Sequence, residues 1–108
     1  NISLICMDTK QIARVMKALS NSNRLELYLE ILKKCEASFE TEDRECLVSD
    51  IMCSFNIGAP TISHHLKELA NAGLITTERK GKFLTARVIE RTIDEVKTIL
   101  SVTTKRKK

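Results

Sequence analysis

The stretch from Val48 to Leu74 restricts the fold of this chain more than any other part of its sequence. It begins with apolar residues at helical spacing beside Ser49, a good N-cap, and so predicts a short helix from about Ser49 to Phe55. The apolar face of that helix comprises Val48, Ile51, Met52 and Phe55. Asn56-Ile57-Gly58 then predicts a tight turn, because Gly58 can adopt a positive φ at little cost.

A second helix is predicted from Pro60 to the residues just before Gly73. Proline fits the first helical turn, where its missing N–H loses no hydrogen bond, and glycine commonly follows the last turn of a helix. The buried face of this helix is predicted to contain Ile62, Leu66, Leu69 and Ala70. Two helices joined by a short turn that contains glycine form a helix-turn-helix motif.

The outward face of the second helix carries short hydrogen-bonding side chains and a cation. In a recognition helix, side chains of the N-terminal half contact base edges in the major groove of DNA. The candidate DNA contacts on this helix are Pro60, Thr61, Ser63, His64 and Lys67. The competing interpretation is an ordinary solvated helix face. His65 lies at the edge of the buried face, where we expect a packed and hydrogen-bonded histidine.

A β-hairpin is predicted directly after the helix-turn-helix. Leu74 to Glu78 and Phe83 to Val88 are short β-type runs on either side of a glycine turn. The turn segment carries three cations, Arg79, Lys80 and Lys82. A basic hairpin in this position is a wing, and its cations would bind phosphate oxygens or enter a minor groove.

The segment APTISHHLKELANAGLITTERKGKFLTARV resembles the core of the ArsR/SmtB family of winged-helix repressors. The upstream segment ALSNSNRLELYLEIL resembles the opening of that family, and together the resemblance covers about Gln11 to Leu100. The residues that carry it are Ala18, Leu19, Arg24, Leu25, Ser63, His65, Leu66, Gly73, Leu74, Arg79, Gly81 and Lys82. It implies a mainly α fold with a small β-hairpin (α+β), a winged helix-turn-helix of about five helices and a two-stranded wing.

The remaining helices are predicted from capping residues and apolar spacing. One is expected from Asp8 or Thr9 to about Leu19, and a second, apolar on more than one side, from the Ser20–Asn23 break to about Cys35. The second should be the central and most buried helix, with Tyr28 as a core aromatic. A last helix is expected from Glu90 to Ser101.

The apolar stripe of the last helix has no obvious place in the core of one subunit. In the resembled family the first and last helices pair across a two-fold axis, which implies a homodimer. The predicted interface residues are Ile12, Val15, Ile93, Val96 and Leu100. The alternative is that this stripe packs within its own subunit.

The chain of 108 residues is expected to form one domain, with an N-terminal arm at residues 1–7 and a disordered basic tail at residues 102–108. Residues 1–47 carry a net charge of −1 and residues 48–108 a net charge of +5, so the positive charge accompanies the proposed DNA-binding half. The sequence shows neither a signal peptide nor an apolar run long enough to cross a membrane, and we therefore expect a cytoplasmic protein.

The acidic segment from Glu36 to Glu45 is predicted to be a solvated loop that is longer than in the resembled family. The alternative is a surface that contacts a protein partner or helps to shape an effector site.

The resemblance does not identify an effector. In that family a Cys-x-Cys pair before the recognition helix senses soft metals, and the matching positions here are Leu47, Val48 and Ser49. A second family site needs histidine on the last helix, which this chain lacks. Cys46 and Cys53, with Cys6 from the arm, are candidates for a soft-metal or redox site. The simpler interpretation is that these thiols are buried or incidental. We therefore predict no cofactor.

These observations favour a homodimeric, sequence-specific regulator of transcription that binds a double-stranded DNA operator as a repressor. An effector would act by selecting a dimer geometry in which the recognition helices no longer fit adjacent major grooves. The alternative is a protein-interaction module that has kept the fold and lost DNA binding. An enzyme has no support, because no phosphate-binding glycine loop or paired carboxylate site is evident.

Overall fold

Five helices pack around a small antiparallel sheet in the part of the chain that the computed structural model describes, residues 8–37, 45–53 and 58–106. In chain order the elements are α1 (Thr9–Leu19), α2 (Ser22–Ala37), β1 (Glu45–Leu47), α3 (Val48–Met52), α4 (Ala59–Asn71), β2 (Ile75–Lys80), β3 (Phe83–Val88) and α5 (Glu90–Arg106). This confirms the predicted α+β fold with its hairpin wing. It also adds a third strand, β1, that the sequence analysis did not predict.

The sheet has the order β1-β3-β2, and both neighbouring pairs are antiparallel. In the hairpin, Ile75 lies opposite Val88 and Lys80 opposite Phe83. On the other edge of β3, Cys46 lies opposite Ala86. The wing is therefore joined through its second strand to the segment that leads directly into α3.

The core consists of apolar side chains from all five described helices and from the sheet. Its most deeply buried large side chains are Val15, Leu27, Ile31, Ile51, Ile62, Leu69, Leu74 and Ile75. The predicted central helix, α2, contacts α1, α3, α4, β1 and β3. Tyr28 is buried as expected, but Leu25 and Leu29 are exposed, so α2 buries only part of its apolar surface.

The start of α1 is fixed by a side-chain cap, as the sequence predicted. The Asp8 Oδ1 atom accepts a hydrogen bond of 2.9 Å from the Gln11 backbone N–H, which pairs one of the amides left open at a helix start. At the break before α2, Asn21 Oδ1 accepts a bond of 3.0 Å from the Arg24 N–H.

The prediction that Ser49 caps α3 was wrong. The helix begins at Val48, Leu47 occupies the N-cap position, and no side chain caps it. The reason is that Leu47 is also the last residue of β1, so the strand rather than a capping side chain sets where α3 begins. The helix ends at Met52, and residues 54–57, which include the predicted end at Phe55 and most of the turn, lie outside the described residues.

The prediction of a positive φ at Gly58 was also wrong. Gly58 has φ −65° and ψ 154°, an extended N-cap conformation open to any residue. Its carbonyl accepts hydrogen bonds from the N–H groups of Thr61 and Ile62, both 3.1 Å. Pro60 lies in the first turn of α4, as predicted.

The end of α4 follows the predicted glycine rule. Gly73 has φ +82°, its N–H bonds the Ala70 carbonyl, and the Leu74 N–H bonds the Leu69 carbonyl, each at 3.0 Å. These two hydrogen bonds form a Schellman motif, which requires a left-handed backbone conformation at the position of Gly73. Thr92 donates its hydroxyl to the Gly73 carbonyl and so fastens the start of α5 to the end of α4.

The helix α5 continues to Arg106, beyond the predicted end at Ser101. Residues 102–106, predicted as part of a disordered tail, are therefore helical in backbone. No glycine or proline interrupts the sequence from Glu90 to Arg106, and an early stop had no local cause. The arm at residues 1–7 and the last two residues lie outside the described part of the chain. None of the described helices is both long enough and apolar enough to cross a membrane.

Candidate nucleic-acid interface

The helix α4 separates a buried face from an exposed polar face. Ile62, Leu66 and Leu69 are buried against the rest of the core. All five predicted DNA contacts on this helix are exposed: Pro60, Thr61, Ser63, His64 and Lys67. Because α4 packs against α1, α2 and β2, the position of its exposed face is fixed by contacts on the buried side of the helix. Such a face can enter a major groove without rearrangement of the core.

The adjacent histidines of α4 lie in opposite environments. The ring centroids of His64 and His65 are 6.0 Å apart, but His64 is exposed whereas His65 is 6% exposed. Within the described residues neither ring nitrogen of His65 has a hydrogen-bond partner, contrary to the expectation of a hydrogen-bonded histidine. Burial lowers the pKa of His65, and the nearby charges of Arg24 and His64 lower it further. His65 is therefore an uncharged part of the core, and His64 is the histidine available to a ligand.

Of the three cations of the wing, two are without an ion pair among the described residues and the third is paired. Gly81, with φ +64°, makes the tight turn between β2 and β3. Arg79 and Lys82 are exposed, and no ion pair of either is found among the described residues. Lys80, in contrast, places its Nζ atom 2.9 Å from Glu45 Oε1.

Glu45 joins the edge strand β1 to the wing. Its carboxylate accepts hydrogen bonds from Lys80 and from the Thr85 hydroxyl, the latter 3.2 Å long, and Arg87 lies 3.9 Å away. The hydrogen bond from Lys80 holds the pKa of Glu45 below its ordinary value, and the charges of Lys80 and Arg87 act in the same direction. The Glu45 side chain is only 9% exposed, so the expectation that it ends a solvated loop was wrong. Residues 38–44 of that predicted loop lie outside the described residues.

A second basic surface lies beside α4 and was not predicted from the sequence. A shallow cavity of about 570 Å³ lies between α1, the start of α2 and the second half of α4. Its charged lining consists of four cations and one carboxylate: Lys10, Arg14, Lys17, Arg24 and Glu68. Arg24 is held in place because its Nε donates a hydrogen bond of 2.7 Å to the Ala18 carbonyl. The spacing of Lys10, Arg14 and Lys17 on one face of α1 was visible in the sequence, but its position beside α4 depends on the tertiary fold.

Comparison with known proteins assigns a family to this fold. The model of the family described as "Bacterial regulatory protein, arsR family" matches residues 41–77. The arsenical resistance operon repressor of Staphylococcus aureus is 35% identical over 75 residues, which span 69% of this chain and 62% of that repressor. The transcriptional repressor SdpR of Bacillus subtilis is 37% identical over 70 residues, 65% of this chain and 67% of that protein. This chain belongs to the ArsR family. That family consists of transcriptional regulators, which are not enzymes as a class.

Solved structures agree with the fold of this ArsR-family chain. An ArsR-like transcriptional regulator from Rhodococcus sp. RHA1 superposes with a TM-score of 0.71 at 18% identity and covers 90% of this chain and 82% of its own. A homodimeric winged helix-turn-helix DNA-binding domain of a possible ArsR-family regulator from Mycobacterium bovis superposes with a TM-score of 0.63 at 25% identity. That match covers 88% of this chain and 80% of the mycobacterial chain.

The predicted dimer contacts of this ArsR-family chain occupy three different environments. Val15 and Val96 are buried within the protomer, at 1% and 9% exposure. Ile12 and Ile93 pack against the edge of the core, and Leu100 is 47% exposed. Met16 of α1, which was not among the predicted interface residues, is 45% exposed. Apolar spacing alone could not separate these environments, because core and interface residues share one stripe.

The cysteines of the ArsR-family chain do not form the pair of Cys46 and Cys53 that was considered from the sequence. Cys46 is buried beside Cys35, a pairing the sequence analysis did not consider, and their Sγ atoms are 3.9 Å apart. Cys53 is exposed, and Cys6 lies outside the described residues. In the described part of the chain no group of three or more His, Cys, Asp or Glu side chains is placed to hold a metal ion.

Proposed function

We propose that this chain is a transcriptional repressor that binds an operator in double-stranded DNA as a homodimer. The exposed residues of α4 would contact base edges, and Arg79 and Lys82 of the wing would bind phosphates on the flanking backbone. The relatives support this proposal, since the matched proteins from S. aureus and B. subtilis are both repressors. The match spans only 62% of the staphylococcal protein, so its activity is an expectation for this chain.

The observation that carries the proposal is the division of α4 into two faces. Thr61, Ser63 and His64 are exposed on a helix whose other face is anchored by Ile62 and Leu69. Short polar side chains on a fixed helix can make hydrogen bonds to bases without a large loss of side-chain entropy. An acidic outer face would be repelled by the phosphates that flank the major groove. An apolar face could not form hydrogen bonds with the base edges.

The homodimer is proposed from the exposed apolar side chains on the first and last helices. Met16 on α1 and Leu100 on α5 are each nearly half exposed, and the mycobacterial domain of the same fold is homodimeric. We propose that the whole chain forms one such domain and acts in the cytoplasm without catalysis. Release from DNA by an effector is part of this proposal, and the family alone does not fix which effector acts.

The test begins with recovery of genomic fragments bound by the purified protein, which supplies the operator sequence. Affinity is then measured for the operator and for an unrelated duplex with the wild type, Thr61→Ala, His64→Ala and the remote exposed control Thr98→Ala. Loss of a base contact costs about 1–3 kcal/mol and acts on the specific site. We expect Thr61→Ala and His64→Ala to weaken operator binding by roughly five- to 150-fold and to change binding of the unrelated duplex little.

Equal losses on both duplexes would remove Thr61 and His64 from base recognition. A wild-type protein with no salt-dependent affinity for any duplex would contradict the proposal as a whole, and would favour a protein-interaction module.

A further inference from the structure

Two buried thiols face each other at the junction between α2 and β1. Cys35 in the last turns of α2 and Cys46 in the middle of β1 are each 7% exposed. Their Sγ atoms are 3.9 Å apart, and they lie 3.9 and 3.7 Å from the carbonyl oxygen of Ala86 on β3. The two residues are eleven positions apart in sequence, so the fold rather than local spacing brings them together.

The two sulfur atoms are in van der Waals contact, which is the starting geometry for a disulfide and not its bonded distance. A disulfide bond is about 2.05 Å long, so the sulfurs would have to approach by roughly 1.9 Å. Rotation about the Cα–Cβ bonds supplies part of that approach, and the end of α2 and the edge strand β1 must supply the rest. Because β1 has only three residues, it is the element that can move at smallest cost.

We propose that Cys35 and Cys46 are an oxidisable pair that hydrogen peroxide converts to an intramolecular disulfide, and that this disulfide weakens DNA binding. One thiol loses its proton and attacks a peroxide oxygen, the O–O bond breaks, and water and a sulfenic acid form. The second thiol attacks the sulfenic sulfur, the S–S bond forms, the S–O bond breaks, and a second water leaves. Both electrons of the reduction come from the two thiols.

The neighbours of Cys46 explain how the disulfide would affect DNA binding. It pairs with Ala86 in the sheet, and its neighbours are Glu45, which holds Lys80 of the wing, and Leu47, the N-cap of α3. A shift of Cys46 toward α2 therefore moves the wing and the first helix of the motif together. The DNA readout of this inference rests on the proposed function, whereas formation of the disulfide does not.

Burial makes the reaction slow at neutral pH. Desolvation, and the adjacent Cys35, raise the pKa of the Cys46 thiol to about 12; Lys34 lowers it and Asp50 adds to the rise. Since the thiolate is the attacking species, the rate of oxidation should increase with pH. The exposed Cys53 offers a matched control on the same chain.

The experiment treats fully reduced protein with hydrogen peroxide and measures its mass and its free thiols. Reduced protein should accept four alkyl groups, one for each cysteine, and oxidised protein two fewer with the loss of two hydrogens. Trypsin cleavage after Lys34, Arg44 and Lys67 gives segments 35–44 and 45–67, which should be joined. The joined pair should persist in Cys53→Ser and disappear in Cys35→Ser and Cys46→Ser.

Oxidation should lower the affinity of the wild type and Cys53→Ser for the operator by roughly 5- to 150-fold, and a dithiol reductant should restore it. If serine at either buried position prevents folding, Cys35→Ala and Cys46→Ala supply the controls, with helicity checked by circular dichroism. The inference is overturned if no joined segments form, if they require Cys53, or if the joined protein keeps its affinity. If reduced protein bound no duplex while the disulfide still formed, the proposed function would fail and the thiol pair would stand.

Discussion

His65 is a buried titratable side chain at the centre of the helix proposed to contact DNA. Its position on the inner face of α4 could be predicted from helical spacing, because it follows Ile62 by three residues and precedes Leu66 and Leu69. The absence of a hydrogen-bond partner among the described residues could not be predicted, since it depends on which side chains α1 and α2 bring to that face. An unpaired imidazole in this place costs stability, more so when it is protonated.

The stability of the fold should therefore fall as the pH is lowered below the ordinary histidine pKa of 6.5. The pKa of His65 is lowered in the folded state from an ordinary value of 6.5, so the unfolded chain takes up a proton at a pH where the folded chain does not. The stability that depends on neutral His65 is present above pH 6.5 and is lost as the pH falls through its folded-state pKa. His65→Leu should flatten this dependence by up to one proton, as measured by denaturant unfolding across the pH range.

The exposed neighbour supplies the control for this measurement. His64→Gln removes the other histidine of the chain and should leave most of the pH dependence in place. An equal flattening in both variants would show that burial of His65 is not its cause.

At the scale of elements, the recognition helix and the hairpin were predictable, and the edge strand was not. Pro60, Gly73 and Gly81 mark element boundaries by backbone chemistry that acts locally. The strand β1 has only three residues, follows an acidic segment, and is stabilised by pairing with β3 some 40 positions away. Nothing in its own sequence records that pairing. The same strand supplies Glu45, which holds Lys80, so the wing has fewer available cations than its sequence indicates.

This difference among the wing cations predicts different salt dependences. Each phosphate neutralised contributes a slope of about −0.9 to the plot of log affinity against log salt. In a dimer, Lys82→Ala should remove up to two phosphate contacts and flatten the slope by roughly one to two units, equally on operator and unrelated duplex. Lys80→Ala should change the slope much less, because its ammonium group is already 2.9 Å from a carboxylate oxygen. The measurement is a set of titrations at several salt concentrations.

Arg79→Ala extends this test to the face of β2 opposite to Lys80. A phosphate contact by Arg79 would give the same loss on both duplexes. A loss confined to the operator would instead place Arg79 in a narrow A·T-rich minor groove, where it recognises DNA shape. Unchanged slopes in all three variants would contradict a wing that touches DNA.

At the scale of the whole molecule, the exposed apolar surface indicates where a second copy of the chain would bind. The sequence placed Val96 and Leu100 on one stripe, and only the fold shows that Val96 completes the protomer core whereas Leu100 faces outward. A charge at position 96 would therefore damage the fold and the proposed interface together, and could not distinguish them. Leu100 offers a cleaner test because it is already 47% exposed in the single chain.

Leu100→Glu should convert the proposed dimer to a monomer without loss of helicity, since a carboxylate buried in an apolar interface without a partner is costly. Thr98→Glu is the matched control, because residue 98 lies about 200° around the same helix and adds the same charge. Sedimentation at tens of micromolar, roughly where a micromolar dimer assembles, should give a dimer for the wild type and for Thr98→Glu, and a monomer for Leu100→Glu. Because two recognition helices on one operator bind far more tightly than one, the monomer should also lose operator affinity while its wing and α4 remain unchanged. A wild-type monomer under these conditions would rule out the two-fold assembly, and dimers of all three proteins would place the interface elsewhere on the surface.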